Sequence, residues 1–174
     1  MRKTLVWSAA VLSLAVIIHI IAIFAVPNVI MGTLISRASD ANGVNTIFHG
    51  KRADATSRQI VRPSPDLIYS MCVFDLSNGP VTLAAPIPTD TYWSLSAFDD
   101  NTNNFFVVNA RQITSNNVEF VLARDSYQAP AVGGAPVILS PTTTGVVLFR
   151  TLIQSEDRFE ALNDVRKQAT CAPL

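Results

Sequence analysis

The sequence predicts a mainly β chain: an N-terminal single transmembrane helix, then an antiparallel β-sandwich that closes with a C-terminal helix. Three observations carry that prediction. An uncharged run extends from Thr4 to Val26; short β-branched and aromatic segments separated by turn residues follow from Asp66; and Ser155 to Ala169 has helical spacing with charges matched to a helix dipole. The 174 residues suffice for one domain beyond the span. The expected boundaries are 1–27 for the anchor, 28–62 for a juxtamembrane helix and linker, and 63–174 for the outer domain.

The anchor comes first. After Arg2 and Lys3, the 23 residues from Thr4 to Val26 would make a helix of ~34 Å, enough to cross a hydrocarbon core of ~30 Å. A secretory signal has a shorter apolar core and a small-x-small cleavage site, which Ile23-Phe24-Ala25-Val26-Pro27 lacks. Arg2 and Lys3 on the short side predict a cytoplasmic N-terminus and an outer domain, which is periplasmic if the cell is Gram-negative. His19 lies inside the run, where an ionisable group is costly and points to a contact with another membrane protein, or to a neutral imidazole bonded locally.

Beyond Pro27, Val29, Ile30, Leu34 and Ile35 keep helical spacing, as a continuation of the anchor or a short interfacial helix. Residues 40–62 are polar and contain His49 and a basic group of Lys51, Arg52, Arg58 and Arg62, expected to be a solvated surface. Strands are expected at 66–76 and 81–85, joined by the turn Ser77-Asn78-Gly79-Pro80, and a hairpin at 92–109 turns through Asp99–Asn104. Further strands fall at 118–123 and 137–139, around a Pro/Gly-rich loop at 128–136, and at 145–153, a long apolar segment suited to the sheet centre. Ser155 is the expected N-cap of the last helix, with Phe159, Leu162, Val165 and Ala169 on its packing face and Arg166 and Lys167 at its negative end.

Composition excludes several function classes. Lys plus Arg equal Asp plus Glu, 13 against 13, so the basic excess of a nucleic-acid binder is absent. With His19 in the span, His49 is the sole outer histidine and no glycine-flanked serine elbow accompanies it, which argues against a serine hydrolase. No HxH, HxxxH or CxxC spacing occurs, so neither a metal nor another cofactor is expected. Carboxylate pairs among Asp66, Asp75, Asp99 and Glu119 are open by spacing alone. Cys72 and Cys171, both on the oxidising side of the membrane in this topology, are expected to form a disulfide that clamps the terminal helix to the sheet. The alternative leaves Cys72 as a small buried hydrophobe and Cys171 as a free thiol.

The stretch IVRPSPDLIYSMCVFDLSNGPVTL, followed by TYWSLSAFDDNTNNFFVVNARQ, resembles the domain-of-unknown-function 1254 family (DUF1254). The matching motifs are Asp66, Tyr69 and Ser70; Asp75, Leu76, Ser77, Gly79, Pro80 and Val81; Tyr92, Trp93 and Ser94; and Asp99, Thr102 and Asn103. LSPTTTGVVLFRTLI resembles the family's final strands. The resemblance implies a short, membrane-anchored alphaproteobacterial form that neighbours a second short membrane protein of the 1214 type. Asp66, Tyr69, Asp75, Trp93, Asp99 and Arg150 sit in or beside these motifs. They are expected to form either an internal polar network with an Arg–Asp pair or a ligand site lined by Tyr69, Trp93 and Arg150.

These observations favour a non-catalytic, membrane-anchored interaction module, an accessory or assembly subunit of an inner-membrane complex. The alternatives are a module binding an envelope lipid, glycan or small molecule, and an envelope enzyme using carboxylates.

Overall fold

The computed structural model describes residues 2–58, 62–125 and 134–174. Residues 128–133 of the expected loop, and Ile60 and Val61 of the family-like stretch, lie outside the described residues. Helix α1 runs unbroken from Arg2 to Asn42, 41 residues or ~62 Å, with Pro27 inside it. Its first part is apolar all round and exposed, from Leu5 to Val26. The helix is long and apolar enough to cross a membrane, a property shared by anchors and signal sequences. Gly43, at φ +81°, ends it, and the Gly43 amide donates to the Ser39 carbonyl at 2.8 Å.

Two sheets follow. Sheet A has the order β1 (Ile47–His49), β2 (Leu67–Asp75), β8 (Thr144–Leu152), β4 (Trp93–Asp99), β5 (Asn104–Asn109). Sheet B has the order β7 (Val137–Ser140), β6 (Asn117–Arg124), β3 (Val81–Pro86), β9 (Thr170–Pro173). A 3₁₀ turn at Glu156–Arg158 leads into α2 (Phe159–Arg166), which lies between β8 and β9 in the chain. Period-two alternation is clearest in β3, which reads buried–partial–buried throughout. Strand β8, paired with β2 and β4 along nearly its whole length, is the sheet centre that its apolar sequence predicts.

The inner faces meet in one core. Cys72, Phe74, Trp93, Leu95, Val147 and Phe149 from sheet A pack against Val81, Leu83, Val118, Phe120 and Leu122 from sheet B. The outer face of sheet A carries a second, smaller cluster, in which Met31, Leu34, Ile35 and Ala38 of α1 lie with Met71, Val73, Val146 and Phe98. Strands β2 and β8 are therefore apolar on both faces, which explains why MCVF and GVVLF read as continuous runs rather than alternations. Asn45 fixes the exit from the helix. Its Nδ2 donates to the Asp75 carbonyl at 2.9 Å, and its Oδ1 accepts the Asp75 amide at 2.8 Å.

A disulfide joins Cys72 of β2 to Cys171 of β9 with the Cα atoms 6.4 Å apart, so it ties sheet A to sheet B across 99 residues. Three features extend or correct the sequence expectations. Strand β7 pairs with β6 in parallel, so sheet B is mixed. The stretch read as linker contributes edge strand β1, paired to β2 through Ile47–Cys72 and His49–Ser70. The terminal helix is followed by β9, which pairs with β3, because the disulfide and the core need the chain end on sheet B.

Two stability predictions follow from this packing. Replacing Cys72 and Cys171 with Ala removes a crosslink closing a loop of nearly a hundred residues. The expected loss is about 4 kcal/mol, read from denaturant unfolding of the full chain in detergent by Trp93 fluorescence. Gly145 sits where β8 passes under its neighbours, and a Cβ there would overlap the Phe98 carbonyl oxygen and the Phe74 ring. Gly145→Ala is expected to cost about 1–3 kcal/mol in the same measurement.

Candidate functional site

A buried polar cluster lies where α2 meets the β1–β2 edge. Arg166 is 5% exposed and has no carboxylate partner among the described residues. Its guanidinium donates through Nη1 to the Tyr69 carbonyl at 2.5 Å, through Nη2 to the Gly50 carbonyl at 2.8 Å, and through Nε to Asn163 Oδ1 at 2.9 Å. A planar fork with five donors can bridge two strands and its own helix at once, which a lysine ammonium cannot do in one plane. Burial pushes the Arg166 pKa down, and the three acceptors offset the cost of desolvating the charge. Beside it, His49 Nδ1 lies 2.9 Å from Ser70 Oγ. Burial, then the charges of Arg166 and Lys167, hold the His49 imidazole below its ordinary range.

Sequence reasoning missed Arg166 by assigning it to the helix dipole. The usable signal was its spacing: Leu162 and Arg166 are four residues apart on α2, and both are buried. His49 was read as a lone histidine because only the β1–β2 register brings Ser70 to it. The basic group lies on a solvated surface, as expected. Arg52 pairs with Glu156 at 2.5 Å and lies 5.3 Å over the Phe159 ring, Arg58 donates to the Ala55 carbonyl, and Lys51 and Arg62 are exposed.

The structure disperses the motif residues. Trp93 is 1% exposed and stacks on Phe149 in the core, so its ring faces no open site. Tyr69 and Arg150 are cross-strand neighbours on β2 and β8. Tyr69 Oη accepts the Ser64 amide at 2.9 Å, while Arg150 Nη2 donates to Ser96 Oγ at 2.9 Å and its Nε is buried without a hydrogen-bond partner. The expected internal Arg–Asp pair does not form at Arg150. Asp75 Oδ1 instead accepts the Ser77 amide in the turn, and buried Asp99 binds the Asn101 and Asn103 amides and Asn103 Nδ2. Asp66 precedes β2 at the end opposite Asp75, and Glu119 is exposed on the other sheet. These four acids do not converge on one cleft, and no group of three or more His, Cys, Asp or Glu is placed to hold a metal among the described residues. A void between the sheets measures about 20 Å³, room for roughly one water. Ser70, Cys72, Leu95 and Phe149 are among its lining residues, and Tyr69, Trp93 and Arg150 are not.

Among the described residues, this arrangement orders strands and caps turns. Arg166→Ala leaves the Tyr69 and Gly50 carbonyls without this donor and is expected to cost about 2–4 kcal/mol. Arg166→Lys is expected to recover only part of that loss. Arg52→Ala, which breaks an exposed pair, is expected to cost less than about 1 kcal/mol in the same denaturant titration.

Known proteins agree with this fold. Residues 44–173 match the family model "Protein of unknown function (DUF1254)". The crystal structure of the VPA0106 protein from Vibrio parahaemolyticus superposes with a TM-score of 0.68 at 13% identity, covering 85% of this chain and 35% of that one. A putative uncharacterized protein from Burkholderia cenocepacia gives a TM-score of 0.48 at 16% identity, over 68% of this chain and 35% of that one. The chain thus spans about a third of the length of each of these structures. No curated protein matches. From β1 through β9, the chain belongs to the DUF1254 family.

Proposed function

We propose that the protein is a membrane-anchored, non-catalytic interaction module, an accessory or assembly subunit of a bacterial inner-membrane complex. In this reading α1 crosses the inner membrane with its N-terminus in the cytoplasm, and the sandwich stands in the periplasm. The observation that carries it is the seating of α1. The helix that bears the apolar run continues without a break to Met31, Leu34, Ile35 and Ala38, which pack on the outer face of sheet A. A domain clamped to its own membrane helix is suited to presenting a surface at a fixed height and orientation.

Two further features support the reading. Motif polar groups are engaged in turn and strand contacts: Asp75 with Ser77, Asp99 with Asn103, and Arg150 with Ser96. The Vibrio structure places a similar fold within a chain about two and a half times as long, which fits a domain that works against additional polypeptide. Here a separate membrane protein of the 1214 type is the proposed partner. His19, in the apolar run, is the proposed intramembrane contact, because an imidazole in hydrocarbon needs a hydrogen-bonding neighbour.

Purification of the tagged full-length chain in mild detergent, with mass spectrometry of what remains bound, tests this function. A stoichiometric membrane partner is expected, with lower recovery for His19→Leu. A lone monomer would overturn the proposal.

A further inference from the structure

His49 occupies a position where a positive charge has no compensation. It closes β1, the strand that follows the exit from α1, and its ring lies against buried Ser70 at 2.9 Å. Arg166 reaches over the same place from α2, donating to the Gly50 carbonyl next to His49 and to the Tyr69 carbonyl next to Ser70. The cations acting on the ring are Arg166 and Lys167. Of the acids on the 3₁₀ turn and α2, Asp164 pairs with Lys167 at 3.5 Å and Glu156 with Arg52 at 2.5 Å, and Asp157 and Glu160 are exposed. Strand β2 contributes Tyr69, whose hydroxyl accepts from Ser64, and β9 (Thr170-Cys171-Ala172-Pro173) contributes no charged side chain.

We propose that His49 is an acid-sensitive latch: neutral, it lets β1 and α2 close on each other; protonated, it loosens both from the sandwich while the disulfide-linked core stays folded. The sign follows from linkage. Burial and the neighbouring cations favour the neutral ring in the folded state, so the unfolded or opened state takes up the proton first. The stabilisation is complete above the ordinary histidine pKa of about 6.5 and is lost as pH falls below it toward the folded-state value. The Ser70 contact survives protonation, because an imidazolium Nδ1–H can still donate to the hydroxyl. What is lost is the tolerance of the half-buried site for a second cation beside Arg166. The element released is small, three residues of β1 and eight of α2, which suits a local opening rather than global unfolding.

Hydrogen exchange of the full-length chain in detergent micelles, compared at about pH 7.5 and about pH 5.5 after correction for intrinsic rates, tests the latch. Several-fold faster opening in acid is expected for β1 and α2 of the wild type, with no change in β4 and β8. His49→Gln is expected to abolish the acid effect. An unchanged wild type, an equal effect in His49→Gln, or acceleration spread over every strand would overturn the proposal. Should His49→Gln fail to fold, NMR titration of the wild-type His49 ring decides the matter: a midpoint below the ordinary value supports the latch, and one at or above it overturns it.

Discussion

The architecture depends on sheet A being apolar on both faces. Its inner face closes the sandwich core around Phe74, Trp93 and Phe149, and its outer face seats the last turns of α1 on Val73 and Val146. Neither surface can be made polar without losing one of the two attachments. Strands β2 and β8 are fixed by this double demand. Gly145 is the tightest expression of it, since no side chain fits between Phe74 and the Phe98 backbone. An apolar helix that would otherwise trail from a folded domain contributes its last turns to the domain's packing.

The chain end completes what sheet A begins. Residues 155–174 contribute the 3₁₀ turn, α2, β9, the disulfide to β2 and the Arg166 bridge to β1 and β2. The covalent and hydrogen-bonded ties converge on one edge of the sandwich, and both reach β2. A buried guanidinium bound to backbone carbonyls rather than to a carboxylate retains its full positive charge in that edge. This makes the neighbouring His49 electrostatically consequential.

Much of this organisation was legible in the sequence, for identifiable reasons. The apolar run, the hairpin at 92–109 and the central strand at 145–153 declared themselves through length, turn chemistry and β-branched content. The Cys72–Cys171 pair was deducible from compartment and count. What was hidden depends on contacts between distant segments. Ile47–His49 is too short and too polar in context to read as a strand until β2 pairs with it. Thr170–Pro173 is four residues that only the disulfide and β3 hold. Arg166 looked like an ordinary C-terminal helix cation, and its burial follows from the face that Leu162 sets. The motif residues left two readings open, a structural polar network and a ligand site. Core packing, turn capping and a serine contact account for the positions of Trp93, Asp99 and Arg150.

The claim that orders the rest is that α1 and the sandwich move as one unit. Spin labels at exposed Arg37 on α1 and exposed Glu119 on sheet B, introduced as Arg37→Cys and Glu119→Cys in the full chain and reconstituted in lipid discs, test it by pulsed dipolar spectroscopy. A single narrow distance distribution is the predicted result. A broad or multimodal distribution would show that the helix swings free of sheet A and would contradict the account.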